Sequence, residues 1–88
     1  MSQKIHLEPV IVIVQPDRIE HEQLVADHLL AGRAVLVDLQ ETDQETAHRI
    51  ISFLEGALYG VNGEMVRVRD TLLLLAPQGM VWHEEQVR

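Results

Sequence analysis

The stretch Thr42–Arg69, TDQETAHRIISFLEGALYGVNGEMVRVR, decides the fold. It reads as a helix that runs through a glycine turn directly into a strand. Thr42 and Glu45 have the spacing of a capping box, in which each side chain satisfies a free backbone N–H at the helix start. Ala47, Ile50, Ile51, Leu54, Ala57 and Leu58 recur at helical spacing, so one face is apolar. Gly56 sits inside this helix, where glycine costs about 1 kcal/mol against alanine. Two readings fit it: another backbone approaches closely there, or Gly56 and Gly60 mark the helix end. Beyond the turn, Glu64–Arg69 is a strand, and strand alternation would place Arg67 and Arg69 on one face.

Working outward, Thr71–Ala76 is another apolar strand, although Arg69-Asp70 is a poor hairpin turn by residue type. Upstream, Val10–Val14 (VIVIV) is a β-branched run of the kind that suits a strand covered on both faces. Pro16 stops it. Asp17 then reads as an N-cap, with Glu20 three residues on. The helix that follows extends to about Leu30, with Val25, Ala26, Leu29 and Leu30 on its apolar face. Gly32 supplies its C-terminal turn, and Ala34–Leu39 is the second strand. Pro77 and Gly79 break the chain near the end, and Met80–Trp82 would make a short last strand.

The order is therefore β-α-β-α-β-β, with a terminal β if Met80–Trp82 pairs. We expect an α/β two-layer sandwich, two helices packed on one face of a four- to five-stranded sheet, with the first two strands parallel. VIVIV, AVLVDL and LLLLA are apolar at odd and even positions alike, so both faces of that sheet are greasy. One layer of helices cannot cover both. An apolar face left open usually marks an interface, so the chain is expected to self-associate through the open sheet face, the helix at Gly56, or both.

Eighty-eight residues suggest one domain, 1–88, with 1–8 and 83–88 as loose tails. Such a chain buries only about 60–65% of its unfolded surface. It has no cysteine, which excludes disulfides and fits a reducing, cytoplasmic setting. No apolar run approaches the roughly 20 residues of a spanning helix, and the start, MSQKIHLEP, lacks the apolar centre of a signal peptide. Fourteen acids against seven Lys and Arg give a formal charge of −7. That balance argues against nucleic acid, whose binding rests on neutralised phosphates, and against a basic membrane-surface domain. Arg33, Arg67 and Arg69 are the candidates for a local basic patch.

No constellation carries catalysis. His21 and His28, seven apart, are too distant on a helix to share one ion, where a spacing of four would serve. His6, His48 and His83 lie elsewhere, so no metal site is expected. Asp38 ends an apolar strand, a frequent place for a site in an open α/β sheet, but an Asp there also satisfies backbone in the following turn. Neither Ser2 nor Ser52 lies in a nucleophile motif, and Gly60–Gly63 is too short for a phosphate loop. The residues describe a small acidic interaction module with no cofactor, and not an enzyme.

VIVIVQP, ADHLLAGRAVLVDLQ, RIISFLEGALYGVNGEMVRV and LLLLAP, in that order and spacing over about Val10 to Pro77, resemble the conserved domain of the SepF family of cell-division proteins. Arg49–Val68 is the strongest section. The resemblance implies two helices on a sheet, a homodimer capable of further assembly, and binding of the C-terminal peptide of the tubulin-like division protein FtsZ at the division septum. It implies that Gly56 lies at a subunit contact, with Leu54 and Tyr59 beside it. It implies peptide contacts near Arg67 and Leu73, where many relatives carry an aromatic residue at the second position. Relatives begin with an amphipathic membrane-binding helix and a linker; this sequence starts without them, so direct membrane binding by this chain is not expected. The competing readings are a small regulatory domain that binds a metabolite at a dimer seam, which the scarcity of aromatic residues disfavours, and an RNA-binding domain, which the charge disfavours.

Overall fold

The computed structural model describes residues 10–16 and 22–87. Within them the chain forms β1 (Ile11–Val14), α1 (Glu22–Leu30), β2 (Ala34–Asp38), α2 (Gln44–Val61), β3 (Glu64–Arg69) and β4 (Leu72–Ala76). The strands make one four-stranded sheet in the order β1-β2-β4-β3. β1 and β2 are parallel, as the intervening helical crossover predicts, while β4 pairs antiparallel with both β2 and β3. The expected two-layer sandwich is what forms. Met80–Trp82 adds no fifth strand; instead the Trp82 indole N–H donates to Glu64 at 3.1 Å, holding that segment beside the start of β3. The expected N-cap at Asp17 lies outside the described residues.

The core lies between the sheet and the helices. Register places Val35 opposite Leu75 and Val37 opposite Leu73, and all four side chains are buried. Facing pairs share a side of the sheet, so this set defines the covered face. From above, α2 contributes Ile50, Leu54 and Leu58, and α1 contributes Val25 and Leu29. These are the residues that helical periodicity selects. Leu30, assigned to the same apolar face by sequence, is 67% exposed at the last turn of α1.

Among the described residues no helix covers the other sheet face. Ile11 and Ile13 of β1 are exposed, with Ile13 at 68%. Leu36, Leu72, Leu74 and Val66 are half-buried on the same face. The unbroken apolar runs in β1, β2 and β4 thus have two consequences. One side of each strand makes the core, and the other makes an apolar surface spanning all four strands.

The ends of α2 differ from their sequence reading. The helix starts at Gln44 and its cap is Asp43, whose carboxylate accepts the Thr46 N–H at 3.0 Å. Thr42 is not the cap. Its hydroxyl donates to the Pro16 carbonyl and ties the exit of β1 to the entrance of α2. At the far end α2 passes through Gly56 and Gly60 without stopping, and the left-handed residue that ends it is Asn62, at φ 57°. Gly63 N–H then donates to the Leu58 carbonyl at 2.9 Å, the closing bond of a Schellman-type end.

Gly63 is required by space. A Cβ there would lie 2.7 Å from Leu58 Cδ2 and 2.9 Å from the Ala76 carbonyl oxygen. The leucine methyl can shift, but the carbonyl belongs to a paired strand and cannot. We expect Gly63→Ala to cost about 1–3 kcal/mol, the usual range for overpacking, seen as a lower midpoint in urea unfolding with unchanged circular dichroism. An unchanged midpoint would mean that the turn relaxes freely.

The cap generates a second prediction. Hydrogen bonds from Thr46, first from its side chain and then from its backbone N–H, hold the Asp43 carboxyl below its ordinary value of 3.8. A carboxylate held low in the fold contributes stability above its unfolded value, and that contribution is lost as pH falls through the lowered one. Asp43→Asn keeps a capping side chain but has no titration. Melting temperatures between pH 6 and 2.5 should therefore fall less steeply for the variant than for the wild type. Parallel curves would remove Asp43 from the acid response.

Candidate functional site

A cavity of about 490 Å³ opens between the first half of α2, the loop before it and the end of the β3–β4 hairpin. Its apolar floor is buried Leu39 with half-buried Ala47 and Ile51. Gln44, His48 and Ile51 fall at i, i+4 and i+7, one strip along α2 beside the core stripe. Arg67 stands across from that strip on β3, and Asp70 closes the hairpin end. Two smaller cavities are less suggestive. One, about 170 Å³, surrounds Asp38 and Thr42; the other, about 290 Å³ beside Leu30 and Gly60, has no charged side chain.

A β-bulge decides which arginine reaches the groove. Arg67 pairs with Leu73, but Arg69 pairs with Leu72, so β3 carries one extra residue at Val68. The bulge breaks strict alternation. Leu73 faces the helices and Leu72 the bare face, so Arg67 and Arg69 lie on opposite faces of the sheet. The expectation that they share one is overturned. Arg67 is exposed and, among the described residues, makes no hydrogen bond or ion pair. Its guanidinium is available to an outside anion.

Leu73 does not join Arg67 at the surface. It lies on central strand β4 under α2 and is fully buried, so its role is in the core. Its neighbours Leu72 and Leu74 are half-buried but face the bare side, so neither supplies the missing apolar contact near Arg67. Ile51 and Ala47 do. Leu54 is corrected in the same way: two residues before Gly56, it projects from nearly the opposite side of α2 and is buried against the sheet. Gly56 and Tyr59 are exposed on the outer side, with Tyr59 at 89%. A Cβ at Gly56 would meet nothing within 4 Å. Among the described residues no other backbone approaches it, and the helix does not end there.

Asp38 takes the structural course. Its carboxylate accepts the Gln40 N–H at 3.0 Å and the Gln15 amide at 3.1 Å, and these bonds, the backbone one foremost, keep its pKa low. Such a group is a poor proton donor or acceptor near neutrality. Among the described residues no three His, Asp or Glu side chains converge to hold a metal ion, and no helix is long and apolar enough to cross a membrane.

The sequence model of the family described as "Cell division protein SepF" matches residues 11–81. A cell division protein SepF of Symbiobacterium thermophilum is 37% identical over 70 residues, covering 80% of this chain and 34% of the relative. Another, of Caldanaerobacter subterraneus, is 36% identical over 76 residues, covering 84% of this chain and 57% of the relative. The chain thus spans from about a third to somewhat over half the length of these curated relatives. Among solved structures, a SepF-like protein from Archaeoglobus fulgidus superposes with a TM-score of 0.77 over 89% of this chain and 96% of that one, at 18% identity, which establishes the shared fold. With the family's sequence pattern covering every strand and both helices described here, the chain belongs to the SepF family of cell-division proteins.

Proposed function

We propose that this domain is a non-enzymatic cell-division adaptor, a homodimer that binds the C-terminal peptide of FtsZ and works at the division septum. The observation that carries the reading is the groove: a free guanidinium at Arg67 over an apolar floor of Ile51, Ala47 and Leu39. A short peptide that mixes acidic and apolar residues matches that composition. Its carboxylate would meet Arg67, in bidentate geometry where the angle permits, and an apolar side chain would cover Ile51. An exposed ion pair contributes under about 1 kcal/mol, so the apolar contact and the backbone of the peptide supply most of the affinity. Micromolar binding, about 8 kcal/mol, suffices when a filament displays many tails to a protein with two grooves.

Homodimerisation has two candidate surfaces, and we assign them different roles. The bare sheet face presents Ile11, Ile13, Leu36, Leu74 and their neighbours as one apolar surface, and its burial against a second copy would make the dimer. The outer side of α2, with Phe53, Gly56, Tyr59 and Gly60 exposed, is narrower. The glycines allow another helix to approach closely there, which suits the joining of dimers into larger assemblies.

Arg67→Glu reverses the charge at the groove and is expected to weaken FtsZ-peptide binding by about tenfold or more, measured by calorimetry with molar mass checked alongside. Equal affinities would take Arg67 out of the site, and no binding by the wild type would sink the adaptor reading.

The assembly is tested by light scattering on two variants. Ile13→Lys puts a charge on an exposed position of the bare sheet face and should give monomers. Gly56→Lys should give dimers that no longer associate further, with helical content retained because among the described residues nothing lies within 4 Å of a Cβ there. Wild-type mass for both variants would exclude both surfaces.

A further inference from the structure

The groove holds a second group that an anion can use. His48 lies on the α2 strip between Gln44 and Ile51, is exposed, and makes no hydrogen bond or ion pair among the described residues. It faces the same space as Arg67, from the opposite wall. The charged and titratable side chains lining this space come from three elements: His48 from α2, Arg67 from β3 and Asp70 from the hairpin turn. The loop before α2 contributes Leu39, Gln40 and Thr42, which carry no charge, and Glu45, one turn before His48, is outside the lining.

The charges in the groove nearly cancel when the imidazole is neutral, because Asp70 offsets Arg67. Protonation of the ring leaves a net positive groove on a chain whose formal charge is −7. Histidine is the side chain whose charge ordinarily changes between pH 5 and 8. We propose that His48 and Arg67 together clamp one carboxylate of the bound acidic peptide, and that His48 makes this binding pH-sensitive. This inference rests on the peptide-binding reading above. It assigns His48 a part in specificity: the groove distinguishes a peptide with an acid opposite α2 from one with an amide there, and does so most strongly in mildly acidic conditions.

The sign follows from linkage. A carboxylate beside an imidazole favours the protonated ring, so binding takes up a proton and tightens as pH falls. Peptide carboxylates stay ionised down to about pH 5, so a change in affinity between pH 8 and 6 reports a proton taken up by the protein. An average uptake of about a quarter to half a proton over two pH units gives about a threefold to tenfold gain in affinity.

The experiment is calorimetric titration of the protein with a synthetic FtsZ C-terminal peptide at pH 6, 7 and 8, in two buffers of different ionisation enthalpy so that proton uptake is read directly. The expected results are tighter binding at pH 6 with uptake of a fraction of a proton, weaker binding with a flat profile for His48→Gln, and a flat profile for a peptide whose acidic side chains are replaced by amides. Binding by the wild type with equal affinity at all three pH values would overturn the role of His48 and leave the FtsZ reading standing. A pH dependence that persists in His48→Gln would also overturn it. Failure of the wild type to bind at any pH would overturn both.

Discussion

One layer of helices has to serve a sheet whose strands are apolar on both sides. Most other features of this domain follow from that mismatch. Val35, Val37, Leu73 and Leu75 on one face are matched by Ile50, Leu54 and Leu58 of α2 and by Val25 and Leu29 of α1, and the core closes. Nothing among the described residues closes the other face over Ile11 and Ile13. Apolar area left in water is a standing loss of about 25 cal/mol per Å². In a chain of 88 residues the core is small enough for that loss to matter. In the proposed homodimer, burying that face against a second copy would recover the loss and would couple the stability of the fold to assembly.

The groove arises from irregularities at the same end of the sheet. Leu39 N–H donates to the Thr71 carbonyl at 2.7 Å, carrying the β2–β4 pairing one step past β2. The bulge at Val68 then shifts the register of β3 against β4. Without it Arg69 would share the helix side with Arg67. With it, one guanidinium stands at the groove and the other is turned to the bare face. The entrance of α2 is fixed independently, by Asp43 at its cap and by the Thr42 hydroxyl on the Pro16 carbonyl. The two walls of the groove are thus positioned by separate hydrogen-bonded devices, and the floor is the edge of the core.

Charge places the groove in context. The chain is acidic overall, so an acidic partner gains no general attraction from its field. Arg67 is a local exception, a guanidinium lining a groove whose floor is apolar. Local complementarity on an unfavourable background gives selectivity more than strength.

The sequence by itself determined the element order, the two-layer architecture and the face of each helix that is buried. Those depend on periods of 3.6 and 2 residues, which are local and written in the order of apolar positions. It also determined that one sheet face would be left open, because VIVIV, AVLVDL and LLLLA are apolar on both sides, and its order of motifs carried the SepF resemblance. It did not determine which residues share a surface. Leu73 was legible as a strand residue, but its burial under α2 depends on β4 being a central strand, and strand order is a matter of long-range pairing. The separation of Arg67 from Arg69 depends on a single bulged residue, for which Val68 has no signature of its own. Gly63 reads as a turn glycine, yet what demands it is the Ala76 carbonyl, thirteen residues away. Ile51 and His48 could be placed on one helix strip from their spacing alone. That the strip forms one wall of a groove, with Arg67 on the other, was decided only when β3 took the edge of the sheet beside α2, because a contact between distant segments exists only after the chain has closed on itself.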